Sequence, residues 1–361
     1  MKNSIKILAF PKDENPYQEL LYSELRKRGV EIRYIFPSSS SQIVSLLLLI
    51  ILLLYYKAKG YRIFHLHWTS GFTSPIKILR PFYSWYFLFI LKFLKLLGYK
   101  VVWTVHNVMP HEKQFVDDLK ARKILAESAD AKIIHSSSTI EEMKSLGINA
   151  KNSYVIPIGS YDSLYENKVT KEEARKKLKI GQNDFVFLFF GNIKRYKGIE
   201  DLLEAFEKLS KNKTNIKLIL AGECRESSLL KYIKGYEKLL KNKLISHVRY
   251  VNDNDLQYYF NSADIAVFPF KKVTTSSSVL LALAYSRPII IPRIGCLNDI
   301  PKNTGFFYKS EGKNALYNVM EKGISNKAKL ISLGKNAEIY SSSLSWDKIA
   351  KKTYHLYESI L

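Results

Sequence analysis

At 361 residues with 47% hydrophobic side chains, the chain is long enough to fill two hydrophobic cores rather than one. Its 56 Lys+Arg against 33 Asp+Glu give a net charge of +23, which points to an anionic partner such as a phosphorylated ligand, an acidic lipid surface or nucleic acid; a lysine-rich solvated surface accounts for the same number. Two cysteines, Cys224 and Cys296, exclude a cysteine-based metal cluster and a disulfide framework, and fit a reducing cytoplasm.

The opening MKNSIKILAFPK has an apolar run too short, and interrupted by Lys6, for a secretory signal; it reads as a first strand. PYQELLYSELRKRG follows as a helix that stops at Gly29. In SQIVSLLLLIILLLYYKAKG the apolar run from Ile43 to Tyr56 is shorter than the ~20 residues of a membrane span, so a buried or interfacial helix is expected. After the β-rich RIFHLHW comes PIKILRPFYSWYFLFILKFLKLLGYK, in which Lys77, Arg80, Ser84 and Lys95 fall on one polar stripe at about 100° per residue. That pattern suits a helix lying on a membrane, and equally a core helix with snorkelling lysines. KVVWTVH and AKIIHSS are the next strands.

A polar stretch containing Pro157 and Gly159 breaks the rhythm, which resumes with FVFLFFG, NIKLILAG, HVRYV, DIAVFPF and RPIIIP. Strands alternating with helices imply an α/β fold of parallel sheets covered on both faces. The expected organisation is two Rossmann-like, doubly wound domains, 1–165 and 166–340, facing a cleft, with a helix at 341–361 packing back on the first. In such sheets ligands bind beyond the carboxyl ends of the strands.

Two motifs fall at those ends. In FVFLFFGNIKRYKGIEDLLEAFEKL, Gly191 ends a buried strand, then come Asn192, Lys194, Arg195 and Lys197, then a helix with Ile199, Leu202, Leu203, Phe206 and Leu209 on one face. A glycine allows close backbone approach and the basic cluster supplies charge, so a diphosphate is the natural guest, though a solvated turn has the same composition. The pattern is neither a P-loop nor the three-glycine dinucleotide fingerprint. In FPFKKVTTSSSVLLALAYSRPIII, the run Thr274, Thr275, Ser276, Ser277, Ser278 precedes an apolar helix. Capping needs one or two of these hydroxyls and leaves the rest for an anion.

In this order the motifs NPYQELLYSEL, HLHW, TVHNVMPHE, SADAKIIHSSS, IPIG, GNIKRYKGIEDLLEAF, LAGE, SADIAVFPF, ALAYSRPIII and SWDKIAKKTYHLYESIL resemble the nucleotide-sugar-dependent glycosyltransferases of the GT-B fold, close to the family-four group. The resemblance extends to a branch with HLHW and HN..PHE that builds polysaccharides and lipid-linked glycans, some members being mannosyltransferases. It implies an acceptor-side first domain, a donor-binding second domain, Gly191 and Lys197 at the donor diphosphate, and His106 beside the donor sugar. Arginine commonly follows that glycine; here Asn192 does, and Arg195 is the substitute. Two glutamates that many relatives use for donor sugar and ribose are replaced by Val273 and Leu281.

Transfer to an acceptor hydroxyl needs a stabilised leaving diphosphate and removal of the hydroxyl proton. His106, His111 and Glu112 are the candidates at the end of KVVWTVH. With inversion, Glu112 or His111 is the base; with retention, the leaving phosphate takes the proton and His106 positions the sugar. His65 and His67 are expected on opposite sides of their strand, each in a structural role, without a zinc site. The sequence thus points to a cytoplasmic, membrane-peripheral glycosyltransferase needing no metal or cofactor. Its expected partners are a nucleotide sugar, a glycan or lipid-linked acceptor, and an anionic membrane surface. An epimerase on the same fold and a catalytically silent assembly subunit are the alternatives. No recognised nucleic-acid-binding module accompanies the charge.

Overall fold

The computed structural model describes residues 4–13, 15–35, 42–73, 76–110, 112–312 and 314–361, with residues 42–47 described by backbone alone. They divide into two units, Met1–Gly159 with Leu344–Leu361, and Ser160–Ser343.

The first unit alternates β1 (Lys6–Phe10), α1 (Pro16–Lys27), β2 (Glu31–Tyr34), α2 (Gln42–Ala58), β3 (Ile63–Leu66), α3 (Arg80–Leu96), β4 (Lys100–Val105), α4 (Asp118–Ser128), β5 (Ala131–Ile134), α5 (Ser138–Ser145) and β6 (Ser153–Val155). The strands form one sheet in the order β2-β1-β3-β4-β5-β6, every pair parallel. Helix α1 starts where Asn15 accepts the Tyr17 N–H at 3.0 Å, with Pro16 in the first turn. Tyr17, Leu21, Tyr22 and Leu25 are its buried stripe.

Helix α3 buries Tyr83, Tyr86, Phe87, Ile90, Leu91 and Leu94 in the core that also holds Leu49 and Leu53 of α2. Each full burial of such a side chain is worth about 1.5–3 kcal/mol. The polar stripe expected on α3 is divided. The Ser84 hydroxyl accepts the Val116 N–H at 3.0 Å, and Lys95 pairs with Asp130 at 2.8 Å. The outward face instead carries Phe82, Trp85 and Leu96, exposed by 52%, 61% and 82%. The Trp85 ring starts a stack that runs through Phe89 at 5.6 Å to Phe93, a further 5.8 Å on. Among the described residues, no helix is long and apolar enough to cross a membrane.

The second unit contains α6 (Lys171–Lys177), β7 (Phe185–Phe190), α7 (Ile199–Asn212), β8 (Ile216–Ala221), α8 (Ser227–Leu240), β9 (Leu244–His247), α9 (Leu256–Ser262), β10 (Ile265–Val267), α10 (Ser277–Ala284), β11 (Ile289–Pro292), β12 (Gly305–Tyr308), α11 (Ala315–Ser325) and α12 (Leu330–Ser343). Its parallel sheet runs β12-β11-β10-β7-β8-β9. The strand expected at HVRYV lies upstream, because Leu244 is the buried residue that pairs with Leu218, whereas Arg249 and Tyr250 are exposed. A buried network braces this unit. Arg175 of α6 meets Asp264 at 2.9 Å and donates to the Ser262 carbonyl, while Asp264 also accepts the Val186 N–H at 2.7 Å. The buried guanidinium thus meets the Asp264 carboxylate and the carbonyl oxygens of Ser262 and Gln182, so its N–H groups are not left unpaired on burial.

The last helix, α13 (Trp346–Ile360), belongs to the first unit, where Trp346, Ile349, Leu356 and Tyr357 join the core beneath α1. A side chain at Gly159 would place its Cβ 2.4 Å from the Trp346 ring, so the glycine of IPIG is required for this packing.

Candidate active site

In the second unit the loop after β7 is built by close backbone approach. Gly191 has φ +122°, and a Cβ there would lie 2.4 Å from Ser278 Oγ and 3.4 Å from Lys197 Nζ. The fold therefore brings Ser278, distant in sequence, to the two donor-binding candidates of this loop, Gly191 and Lys197. The loop is fixed at both ends. Ile193 donates to the Glu223 carbonyl at 2.7 Å, and Gly198, at φ +73°, abuts Pro269, whose carbonyl oxygen would be 1.9 Å from an added Cβ. Lys197 Nζ stands 5.7 Å from the Phe270 ring centroid. Burial, with repulsion from Lys194, pushes the Lys197 ammonium down to about 8.

Of the hydroxyl run, Ser276 caps α10 by accepting the Val279 N–H at 3.4 Å, and Ser278 is the buried member that reaches Gly191. Thr275 is half-buried and Ser277 exposed. The first amides of a helix have no intrahelical acceptor, so Ser277 and Ser278 sit where an anion is favoured. Asn192 is exposed, and Arg195 is engaged elsewhere: it pairs with Glu200 and with Glu226 at 3.4 Å, and donates to Ser228 Oγ at 3.0 Å. Val273 is half-buried and Leu281 buried.

In the first unit, His106 is the first residue past β4 and is buried. Its ring stacks on Trp68 at 4.2 Å and 13°, and the Trp68 indole N–H donates to Asp13 at 2.8 Å. Glu112 is exposed on the following loop, and His111 lies outside the described residues.

His65 and His67 do not face opposite ways. Their ring centroids are 4.1 Å apart, since residues two apart along a strand share a face. His65 is fully satisfied, with Nδ1 hydrogen-bonded to Tyr357 Oη at 2.7 Å and to Tyr22 Oη, and Nε2 to Thr104 Oγ1 at 2.7 Å. His67 shares Tyr22 through Nε2 at 2.5 Å.

Sequence reasoning missed His135, the first residue past β5, which lies 5.2 Å from His106 between ring centroids. Part of the signal was in the sequence, since FHLHW, WTVHN and IIHSS each place a histidine at the end of a strand; that those strands are neighbours is given by the sheet order. Burial keeps the whole group neutral. It pushes His65 down to about 3 and His135 to about 4, and holds His67 and His106 well below the ordinary imidazole value. Among the described residues, no group of three or more His, Cys, Asp or Glu is placed to hold a metal ion.

Residues 170–339 match the model of the family "Glycosyl transferases group 1". The chain is 27% identical over 215 residues to the alpha-monoglucosyldiacylglycerol synthase of Acholeplasma laidlawii, covering 57% of this chain and 52% of that protein. The matching stretch spans about half the length of such curated relatives. Sucrose-phosphate synthase from Thermosynechococcus elongatus shares the fold with a TM-score of 0.77 at 19% identity, covering 99% of both chains. HepE of Anabaena, in complex with UDP-glucose, gives 0.73 at 15% identity over 98% of this chain and 100% of that one. The fold is GT-B, and residues 170–339 are similar to the glycosyl transferases group 1 family.

Proposed function

We propose that the chain is a glycosyltransferase that moves a hexosyl group from a nucleotide diphosphate-sugar to a glycan or lipid-linked acceptor, working peripherally on the inner face of the cell membrane. The observation that carries this reading is the convergence of Gly191, Lys197 and Ser278 at the carboxyl end of β7 and the start of α10. A missing side chain, a half-buried ammonium and a helix N-terminus form a cradle for a diphosphate leaving group, whose developing charge they stabilise. The UDP-glucose complex of the structural neighbour HepE supports a nucleotide-sugar donor. Arg195 serves as a reserve of positive charge, released from Glu200 and Glu226 when the phosphates arrive. His106 and Glu112 act on the sugar side, and His111 completes the expected set.

The membrane part rests on the outward face of α3, where Phe82, Trp85 and Leu96 are exposed beside Lys92, and on the net charge of +23. Leu48, Ile51 and Tyr55 of α2 are exposed as well. Aromatics with adjacent lysines suit the headgroup region of an anionic bilayer, and the similarity to an alpha-monoglucosyldiacylglycerol synthase supports a lipid-borne acceptor.

A second reading, a binding subunit without transfer activity, is favoured by one observation: Leu281 is buried and apolar where the resemblance expects a carboxylate. Incubation with a panel of nucleotide sugars and membrane lipid extract separates the two. Sugar incorporation supports the transferase; tight nucleotide binding without incorporation or sugar release supports the silent subunit.

A further inference from the structure

Three adjacent parallel strands, β3, β4 and β5, each deliver a histidine at the first position past the strand end: His67, His106 and His135. All three rings are more than nine-tenths buried. Each keeps one buried nitrogen without a hydrogen-bond partner among the described residues: His67 Nδ1, His106 Nε2 and His135 Nε2. Buried polar atoms of native proteins are nearly always paired, so three bare nitrogens along one sheet edge ask for a ligand. The carboxyl edge is also where parallel sheets receive their substrates.

His135 is the ring whose protonation is fixed by geometry. Its Nδ1 lies 2.9 Å from the Ile156 carbonyl oxygen, which can only accept, so the proton is on Nδ1 and Nε2 presents a lone pair. The Tyr22 hydroxyl can give its single proton to His65 or to His67, so the tautomer of His67 is not set in the same way. A neutral imidazole lone pair attracts a hydrogen-bond donor and offers nothing to a fully ionised phosphate. The ligand it selects is a hydroxyl.

We propose that His135 is a substrate-contacting residue, its Nε2 receiving a hydrogen bond from a sugar hydroxyl bound at the carboxyl edge of the first sheet. The inference rests on the glycosyltransferase reading and adds to it a residue and the ligand group that it recognises. No bond is made or broken at His135. It orients the hydroxyl, while the Ile156 carbonyl orients the ring.

The decisive variant is His135→Asn, whose amide N–H can keep the bond to Ile156 while the Nε2 lone pair is lost. Its kcat/KM is expected to fall roughly tenfold or more, with the affinity for the bare nucleotide diphosphate and the thermal midpoint within error of wild type. A rise in the acceptor KM assigns the hydroxyl to the acceptor. A rise in the KM for donor hydrolysis without acceptor assigns it to the donor sugar. Unchanged kinetics in a folded variant would overturn the proposal. Should the variant fail to fold, ¹⁵N-imidazole spectra of the wild-type protein give the answer: the unprotonated Nε2 resonance moves upfield on saturation with substrate if the contact forms, and stays in place if it does not. A wild-type protein that neither binds nucleotide nor transfers sugar would instead defeat the glycosyltransferase reading itself.

Discussion

A Cβ at Gly191 would stand 2.4 Å from the Ser278 hydroxyl oxygen, so the loop after β7 and the first turn of α10 fit together only around a residue without a side chain. Gly191→Ala must also hold φ near +122°, which a residue with a Cβ resists. The expected cost is about 1–3 kcal/mol of stability, measured by chemical denaturation, together with at least tenfold weaker nucleotide diphosphate binding. An alanine variant with wild-type stability and affinity would show that the close approach is incidental.

Lys197 sets a pH dependence. Burial lowers its ammonium to about 8 in the free protein, so above that pH the side chain loses the charge that a diphosphate prefers. Nucleotide diphosphate affinity should hold steady below pH 7.5 and weaken above 8, by up to about tenfold per pH unit until the pKa of the bound state is reached. Calorimetric titration from pH 7 to 9.5 measures it. In Lys197→Ala the slope should vanish and the affinity should be lower throughout, by about 1.5–3 kcal/mol at neutral pH.

How much of this the sequence discloses differs between the two units. The amphipathic face Ile199, Leu202, Leu203, Phe206 and Leu209 is buried as its periodicity requires, and alternating strands and helices give two parallel sheets. The Gly191 loop and the hydroxyl run were each legible as anion sites, but the approach of Ser278 to Gly191 was not, because it depends on strand order rather than on any local pattern. The histidine row escaped for a related reason. His67, His106 and His135 are distant in sequence and meet because β3, β4 and β5 are neighbours in the sheet. The opposite-face assignment of His65 and His67 misapplied the twofold period of a strand, which turns the intervening Leu66, not His67, to the other side.

The buried imidazoles make the first unit acid-labile. For His65 and His135, pushed down to about 3 and about 4, the folded state remains neutral while the unfolded chain takes up a proton near pH 6.5. Between pH 6.5 and 5 the unfolded state therefore binds more protons, and stability falls as pH falls. The slope for each histidine grows toward about 1.4 kcal/mol per pH unit as the pH drops below 6.5, so the two together contribute roughly 3 kcal/mol over that interval, above the range in which ordinary carboxylates protonate. Denaturant midpoints at pH 7.5, 6.5, 5.5 and 5 test this; a flat profile would mean that the rings are solvated or partnered in solution.

On vesicles, the outward face of α3 should act in two separable ways. Replacing Phe82 and Trp85 by serine should weaken cosedimentation at all salt concentrations. Replacing Lys77, Arg80, Lys92 and Lys95 by glutamine should weaken it mainly at low salt, by about 1 kcal/mol for each basic residue near the surface. Lys95, already paired with Asp130, should count for less than the exposed Lys92. Equal binding to neutral and anionic vesicles, or preferential capture of nucleic acid, would assign the charge to another partner.

The most direct test of the central claim is calorimetric titration of the purified protein with UDP, GDP and ADP, alone and as their sugar conjugates, beside the Lys197→Ala variant. A donor site at Gly191, Lys197 and Ser278 predicts saturable one-to-one binding of at least one nucleotide diphosphate, tenfold or more weaker in the folded variant. Absence of binding to any of them, or equal affinity in wild type and Lys197→Ala, would contradict it.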